Sequence, residues 1–418
     1  MKKLINTCFS VLCTSLAFAQ QPNMVELQTN LKKHITFLAN DKLEGRLVGS
    51  KGEQAAAKYI AQQLKKIGAT PKGANGYLQP FSVKKNMANP HGHDSDTQAI
   101  TIVGNNVVGF IDNQAPYTVI IGAHYDHLGY NEFGSSTYRP TNPSEKPQIH
   151  NGADDNASGT AAMIELARIL KSSTYNQHNY LFLAFSGEEE GLLGSNYFAK
   201  HPTIDTSTMA YMINMDMVGR LDTVKQSFAI SGTGTSPVWE PVLKNIPTTV
   251  KVKFDASGTG ASDHTSFYYI NIPAVHFFTG NHYDYHKPTD DADLINYAGA
   301  AEVVSYIYHL VGALNNEGKL KFTPTASDTT AKISFKITLG IMPDYLYDGK
   351  GVKVDGVTLG KPASNAGLKR GDVILKLGDF DTSDIKLYMK SLSLFKKGDT
   401  SKVTILRDGQ EQILPISF

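Results

Sequence analysis

Up to residue 314, the apolar residues of this chain alternate between two kinds of pattern. In one kind, apolar side chains recur every three or four positions, as in amphipathic helices. These segments are 24–38, 50–67, 157–170 and 294–314. In the other kind, apolar residues form short continuous runs, which are typical of strands covered on both faces. These runs are 117–123, 180–185, 209–213 and 272–278. The alternation predicts an α/β domain with a mostly parallel central sheet flanked by helices.

The pattern changes after residue 314. Residues 315–332 are polar and contain few large apolar side chains, so they predict a linker. Residues 333–418 carry short β-like runs separated by Gly-Asp turns, which predicts a second, small and β-rich unit. We therefore expect a first domain over 20–314 and a second over 333–418.

The N-terminus has the pattern of a secretory signal. A positively charged start precedes an apolar stretch over 4–18, and residues 17–19 fit a small-x-small cleavage site. We expect residues 1–19 to be removed and the protein to be exported, to the periplasm or out of the cell. The stretch is shorter than the roughly 20 residues of a membrane-spanning helix, and no later run is long enough, so the mature chain is predicted to have no transmembrane segment.

Cysteine usage and charge narrow the chemistry. Both cysteines, Cys8 and Cys13, lie inside the predicted signal, so the mature chain would contain no disulfide and no thiolate metal ligand. Any bound metal would depend on histidine and carboxylate. The chain has 40 basic and 39 acidic residues, and this balance gives no electrostatic case for binding nucleic acid.

Residues of the types that bind metal follow the apolar runs. The segments that contain them are His124-Tyr125-Asp126, Asp154-Asp155-Asn156, Glu188-Glu189, Asn214-Met215-Asp216 and Tyr285-His286. In open α/β sheets, ligands bind beyond the carboxyl ends of the strands. Each segment alone also fits an ordinary role, such as a loop histidine, a helix N-cap or a solvated acidic turn. Together they favour a hydrolytic site with two zinc ions, which needs imidazole and carboxylate ligands.

Spacing within the segments indicates how the work could be divided. His124 and Asp126 are two apart on an extended segment, so both would face the same side and Asp126 could orient the imidazole. Asp155 has two carboxylate oxygens and could bridge two ions. Of the adjacent Glu188 and Glu189, one could bind metal while the other acts as general base.

Two further polar segments leave their roles open. Ser262-Asp263-His264 could cap a helix over 265–270 or act directly in catalysis. His91-Gly92-His93 is interpreted as a solvated loop.

Over roughly residues 24–314, these segments together resemble the M28 family of di-zinc aminopeptidases, and the five occur in the order of that family. The resemblance implies two Zn²⁺ ions per chain with the ligands His124, Asp155 as the bridge, Glu189, Asp216 and His286. It also implies Glu188 as the general base, Asp126 as the orienting aspartate and Tyr285 as a group that stabilises the oxyanion. A cis peptide bond between Asp155 and Asn156 belongs to the same expectation.

The activity implied by the resemblance is an exopeptidase acting on peptides with a free N-terminus. A zinc-bridging water would attack the peptide carbonyl while Glu188 takes its proton. The alternatives on the same fold are a carboxypeptidase and a one-zinc glutaminyl cyclase. Arg139 and Arg220 are candidates for holding a substrate carboxylate in a carboxypeptidase. A binding protein that has lost activity is the alternative from another class.

The C-terminal unit resembles a bacterial PDZ domain. The resemblance rests on residues 362–374 (PASNAGLKRGDVI) and on Leu339-Gly340-Ile341-Met342, which matches a carboxylate-binding loop. It implies that a peptide ligand adds a strand to a sheet edge while loop amides hold its terminal carboxylate. The alternative is a packing module that binds no ligand.

Overall fold

The computed structural model describes residues 21–88, 97–325 apart from 139, 141 and 143, and 337–418 apart from 345, 346, 348, 358, 359 and 384. The predicted signal at 1–19 and the segment His91-Gly92-His93 therefore lie outside the described residues. Among the described helices, none combines the length and the apolar character that crossing a bilayer requires.

The first domain alternates strands and helices, as the apolar patterns predict. Its strands are β1 (Thr70–Pro71), β2 (Leu78–Ala88), β3 (Thr97–Ile111), β4 (Thr118–His124), β5 (Asn179–Phe185), β6 (Met209–Met215), β7 (Ser227–Ser231), β8 (Lys251–Phe254) and β9 (Ala274–Phe278). Its helices are α1 (Met24–Leu38), α2 (Lys51–Ile67), α3 (Gly159–Lys171), α4 (Leu193–Lys200), α5 (Trp239–Leu243), α6 (His264–Tyr268) and α7 (Tyr297–Ala313).

One sheet organises this domain, in the strand order β1-β3-β5-β4-β6-β9-β7-β8, with β2 paired to β3. The four central strands, β5, β4, β6 and β9, are parallel. At the two sides, β3 joins β5 and β7 joins β9 in antiparallel pairing. The predicted α/β class is confirmed, and the parallel pairing is concentrated at the centre of a mixed sheet.

Helices cover both faces of the sheet, which explains why its central strands are apolar along their whole length. Successive side chains of a strand point to opposite faces. In β4, Val119 and Ile121 pack into the core cluster that includes residues of α1, α2, α3 and α7. Ile120 lies on the other face, in the cluster with Phe198 of α4 and Phe267 of α6. β4, β5 and β6 have seven residues each, and every one of these residues is buried.

The second domain is a small sheet with its own core. Its strands are β10 (Ile341–Pro343), β11 (Val352–Val357), β12 (Val373–Leu377), β13 (Phe380–Asp381), β14 (Thr400–Arg407) and β15 (Gln410–Ser417), and its helices are α8 (Pro362–Asn365) and α9 (Ile385–Leu392). The order is β10-β11-β12-β14-β15, with β13 on β12. Leu339, Ile374 and Val403 are fully buried in its core.

The segment between the domains packs in part on the first domain, and a hydrogen bond joins the two domains. Of the segment predicted as a linker, Leu320 is buried in the first domain's core, and Thr323 and Thr325 form hydrogen bonds with that domain. On the second domain, the carbonyl of Pro343 accepts a hydrogen bond of 3.1 Å from the side chain of Asn281. The chain therefore stays packed on the first domain as far as Thr325.

Candidate active site

The predicted site residues meet at the carboxyl ends of the parallel strands. His124 is the last residue of β4, Asp216 directly follows β6, and Glu188 and Glu189 lie shortly after β5. The remaining segments reach the same edge from loops: Asp155 lies in an irregular turn before α3, and Tyr285 and His286 lie in the loop after β9. The structure thus brings together residues that are far apart in the sequence.

A buried arginine holds the loops of this edge in place. The side chain of Arg46 is fully buried, and its guanidinium donates to four backbone carbonyls. The acceptors are Tyr125 at 2.7 Å, Leu38 at 2.5 Å, Asn151 at 2.6 Å and Gly152 at 3.0 Å. Burial lowers the pKa of Arg46 to about 10, so the group remains charged at neutral pH. It ties the end of β4 to the segment that leads into Asp155.

The acidic pair before α3 is divided between two tasks. Asp154 accepts a hydrogen bond of 2.6 Å from the amide of Gly219 and lies 3.2 Å from His282 Nε2. The carboxylate of Asp290 in turn accepts the amides of Asp154 and Asp155, at 3.0 and 3.1 Å. Only Asp155 therefore points its carboxylate at the strand ends. The peptide bond between Asp155 and Asn156 is cis, as the resemblance implied.

Three side chains form a first ligand group: His124, Asp155 and Asp216. His124 Nε2 lies 3.4 Å from Asp155 Oδ1 and 3.3 Å from Asp216 Oδ1. All the ligand atoms of the group are close enough to hold one ion. Asp216 Oδ2 accepts a hydrogen bond of 2.8 Å from Ser262, which fixes the direction of the carboxylate.

A second ligand group consists of Asp155, Glu189 and His286. His286 Nε2 lies 3.1 Å from Asp155 Oδ2 and 3.1 Å from Glu189 Oε2. The other nitrogen of His286, Nδ1, lies 3.0 Å from the carbonyl of Ser135, which is the backbone support usual for a metal-binding imidazole. Asp155 thus contributes one oxygen to each group, as a bridging carboxylate would.

The remaining predicted residues surround these two groups. Asp126 Oδ1 is 3.6 Å from His124 Nδ1, longer than a hydrogen bond, and accepts the amide of Glu188 at 3.1 Å. Glu188 Oε2 lies 4.0 Å from His124 Nε2. The ring of Tyr285 stacks on that of His286, with 3.9 Å between centroids. Burial and the nearby carboxylates raise the pKa of Tyr285 well above its usual range, so its hydroxyl keeps its proton.

The donor set fits a pair of zinc ions. It offers imidazole nitrogens and carboxylate oxygens, which zinc binds. Glu188, Glu189, Asp155 and Asp216 are mostly withdrawn from water, and closely spaced buried carboxylates need compensating positive charge. Burial works against protonation of His124 and His286, yet the surrounding carboxylates raise the pKa of both well above the usual range. Cations at the two ligand groups would supply the same compensation.

Sequence reasoning missed His127. Its Nδ1 lies 2.7 Å from Glu189 Oε1, the side chain is fully buried, and His127, Asp155 and Glu189 together are close enough to hold one ion. The only sequence signal was its place directly after Asp126, at the end of an apolar run. Sequence reasoning also assigned no role to Arg46.

The structure also bears on the segment Ser262-Asp263-His264 and on the two candidate arginines. For the segment Ser262-Asp263-His264, helix capping was one of two alternatives, and the side chain of Asp263, at the N-cap of α6, makes no capping hydrogen bond. Instead, it is buried, and burial raises its pKa to about 7. Arg220 is bound to Asp284 at 3.1 Å, and Arg139 lies outside the described residues.

Comparisons with known proteins identify a family for each of the two domains. Residues 106–311 match the model of peptidase family M28, and residues 333–417 match that of the PDZ domain. Aminopeptidase YwaD of Bacillus subtilis is 31% identical over 193 residues, which are 43% of this chain and 37% of that protein. The chain spans about half or less of the length of the first curated relatives it matches.

Solved structures share the fold at low sequence identity. An aminopeptidase from Aneurinibacillus sp. strain AM-1 aligns with a TM-score of 0.52 at 17% identity, covering 71% of this chain and 95% of that one. A glutaminyl cyclase from Bacteroides thetaiotaomicron aligns with a TM-score of 0.53 at 16% identity, covering 71% and 100%. Both likenesses concern the fold of the first domain and leave the reaction to be argued from the site.

Proposed function

We propose that this chain, whose residues 106–311 match peptidase family M28 and whose residues 333–417 match the PDZ domain, is an aminopeptidase that uses two zinc ions. The observation that supports two ions is Asp155, which offers one oxygen to His124 and Asp216 and the other to His286 and Glu189. A one-zinc enzyme would not need both groups complete.

The zinc ions would be held by His124, Asp155 and Asp216 in one group and by Asp155, Glu189 and His286 in the other. When bound, they would supply Lewis acidity for the peptide carbonyl and lower the pKa of the attacking water. Glu188 would accept a proton from this water and deliver it to the leaving amine. Asp126 would hold Glu188 by its backbone amide, and the hydroxyl of Tyr285 would donate a hydrogen bond to the developing oxyanion.

Selectivity for a free N-terminus follows from charge. The substrate ammonium would lie beside the acidic ligands, where a blocked, neutral amine gains no such attraction. The carboxypeptidase alternative needs a cation for the substrate carboxylate, and Arg220 is already engaged by Asp284. The glutaminyl cyclase alternative has support in the shared fold, so the test must include it.

The test compares three substrates on one metal-analysed sample. Aminoacyl amides should be hydrolysed and their N-acetylated counterparts should not, with two zinc ions per chain. A peptide beginning with glutamine should lose that residue. Its conversion to a pyroglutamyl peptide, with aminoacyl amides untouched, would favour the cyclase instead. Equal hydrolysis of free and acetylated substrates would contradict aminopeptidase selectivity.

Domain limits and export are part of the proposal. We place the mature catalytic domain at 20–314, a connecting segment at 315–332 and the PDZ domain at 333–418. The segment at 1–19 would direct export and be cleaved after Ala19. N-terminal sequencing and fractionation of the expressing cells test this. A protein recovered from the cytoplasm with its first 19 residues intact would contradict it.

A further inference from the structure

His127 lies beside the second ligand group, and no prediction above uses it. It directly follows Asp126 in the loop after β4, and its ring is fully buried. Its Nδ1 lies 2.7 Å from Oε1 of Glu189, whereas the other oxygen of that carboxylate, Oε2, faces His286 Nε2 at 3.1 Å. Glu189 therefore has a different histidine at each oxygen.

His127 could either bind a metal ion or form a hydrogen bond to Glu189, and interatomic distances distinguish these two roles. Two atoms that bind one zinc ion at 2.0–2.1 Å in tetrahedral geometry lie about 3.4 Å apart. The distances from His124 and His286 to their carboxylate partners, 3.1–3.4 Å, are close to this value. The distance from His127 to Glu189 is shorter and is that of a hydrogen bond. From Asp155 Oδ2, His127 Nδ1 is 4.0 Å away.

Ring orientation gives a second, independent distinction. His124 and His286 both direct Nε2 into the ligand groups and turn Nδ1 outward, towards Asp126 and towards the carbonyl of Ser135. His127 does the reverse: Nδ1 faces Glu189, and its Nε2 is buried without a hydrogen-bond partner among the described residues. His286 has on its second nitrogen the partner that is usual for a metal-binding imidazole, whereas Nδ1 of His124, like Nε2 of His127, has none within hydrogen-bond distance among the described residues, so the distinction rests on which nitrogen faces the carboxylates.

We propose that His127 is a positioning residue that donates its Nδ1–H to Oε1 of Glu189, so that Oε2 alone faces the second metal ion. The inference rests on the proposed function, because it assumes an ion at Glu189. Asp126 and His127 then act as a clamp made of two consecutive residues. Asp126 accepts the amide of Glu188, and His127 holds the side chain of Glu189. The clamp keeps the base and the ligand, which are neighbours in sequence, in separate places.

The test uses a pair of amide variants that differ in reach. In His127→Asn the amide nitrogen takes the position of Nδ1, so it can still donate to Glu189. In His127→Gln the amide nitrogen takes the position of Nε2 and points away. Zinc affinity is measured on the full chain by competition with a chelator, without substrate. We expect His127→Asn to stay within about threefold of the wild type and His127→Gln to bind the second ion about 10–100-fold more weakly.

The outcomes separate the hypotheses. Wild-type affinity in both variants would overturn the proposal, because the contact would then be dispensable. Equal, severe loss in both would also overturn it and make His127 itself a ligand. The experiment measures zinc affinity and not turnover, so it tests the role of His127 even if the protein is not an aminopeptidase. A wild-type protein that binds fewer than two zinc ions would count against the proposed function instead.

A measurement on the wild type covers the case in which a variant does not fold. In the zinc-loaded protein labelled with ¹⁵N-histidine, NMR should show His127 protonated at Nδ1, with neither nitrogen bound to metal. A metal-bound nitrogen, or a proton on Nε2 alone, would overturn the proposal.

Discussion

At the scale of single residues, the two adjacent glutamates after β5 have opposite electrostatic environments. Burial and the charges of Asp263 and Asp216 raise the pKa of Glu188 well above its usual range, against the pull of His124. For Glu189, burial and the charge of Asp155 also raise the pKa. The charges of His286 and His127 outweigh them and lower the pKa to about 2. Glu188 thus has a high proton affinity and Glu189 a stable negative charge, as a base and a ligand need.

The variant Glu188→Gln tests this division. It keeps the shape of the side chain but cannot take a proton, so we expect two zinc ions per chain and a kcat lowered about 10²–10⁴-fold. Glu189→Gln is the matched control, and it should lose zinc from the second ligand group. Metal analysis and steady-state kinetics on the same samples decide. A fully active Glu188→Gln enzyme would remove Glu188 from the mechanism.

The sequence was sufficient to identify candidate residues that directly follow a recognisable apolar strand. His124, Asp216 and the glutamate pair each follow an apolar strand, and the ends of parallel strands meet at one edge. His127 could not be assigned in this way, since its partner Glu189 is 62 residues away. Likewise, nothing local indicates that Arg46 donates to carbonyls up to 106 positions further on.

At the scale of elements, periodic segments were predicted well and irregular ones were not. The predicted helix at 24–38 is α1, and that at 50–67 is α2 with one residue less. The helix expected from 157 begins at Gly159, because residues 153–158 form the irregular turn that aims Asp155. The long β2–β3 hairpin went unpredicted. Much of it lies at the side of the sheet, where one partly buried face leaves no continuous apolar run.

Helices α1 and α3 are joined by a buried carboxylate. Glu165 of α3 accepts from Asn30 of α1 at 3.2 Å, lies 3.4 Å from His34 Nε2, and pairs with Arg168 at 2.8 Å. Burial alone would raise the pKa of Glu165, but these partners lower it below its usual value. A depressed carboxyl pKa stabilises the folded state above the unfolded pKa, about 4.3, and this contribution is lost as the pH falls through the folded value.

We therefore expect Glu165→Gln to lower the free energy of unfolding by about 1–3 kcal/mol at pH 7. The difference from the wild type should shrink as the pH falls below about 4.3. Denaturant unfolding of the zinc-free protein between pH 7 and pH 3 measures this without a contribution from metal release. Glu26→Gln is the control, since Glu26 is half exposed and also pairs with Arg168. A constant difference across this pH range would contradict the assignment.

At the scale of the whole molecule, the PDZ domain contacts the loop that supplies His286. Pro343 of β10 accepts from Asn281, five residues before His286, and Lys225 pairs with Asp344 at 3.3 Å. The first domain also holds this loop through Thr137. The hydroxyl of Thr137 donates a hydrogen bond to the carbonyl of Tyr285, and its backbone amide donates one to the carbonyl of His286. Arg220 adds an ion pair with Asp284. Most of the described contacts that hold this loop are therefore made by the first domain.

A chain ending after Thr325 should therefore keep two zinc ions and a kcat/KM within about threefold of the full protein. The contacts described between the domains are one hydrogen bond and one ion pair with the half-exposed Lys225, and such polar contacts contribute little. Ending at Asn315 would instead remove Leu320 from the core and cost about 2–3 kcal/mol through lost burial. Asn281→Ala in the full chain is the matched control, because it removes one interdomain bond and keeps both domains. If the shorter chain folds and binds zinc but is inert, while Asn281→Ala is active, the PDZ domain shapes the site by other contacts.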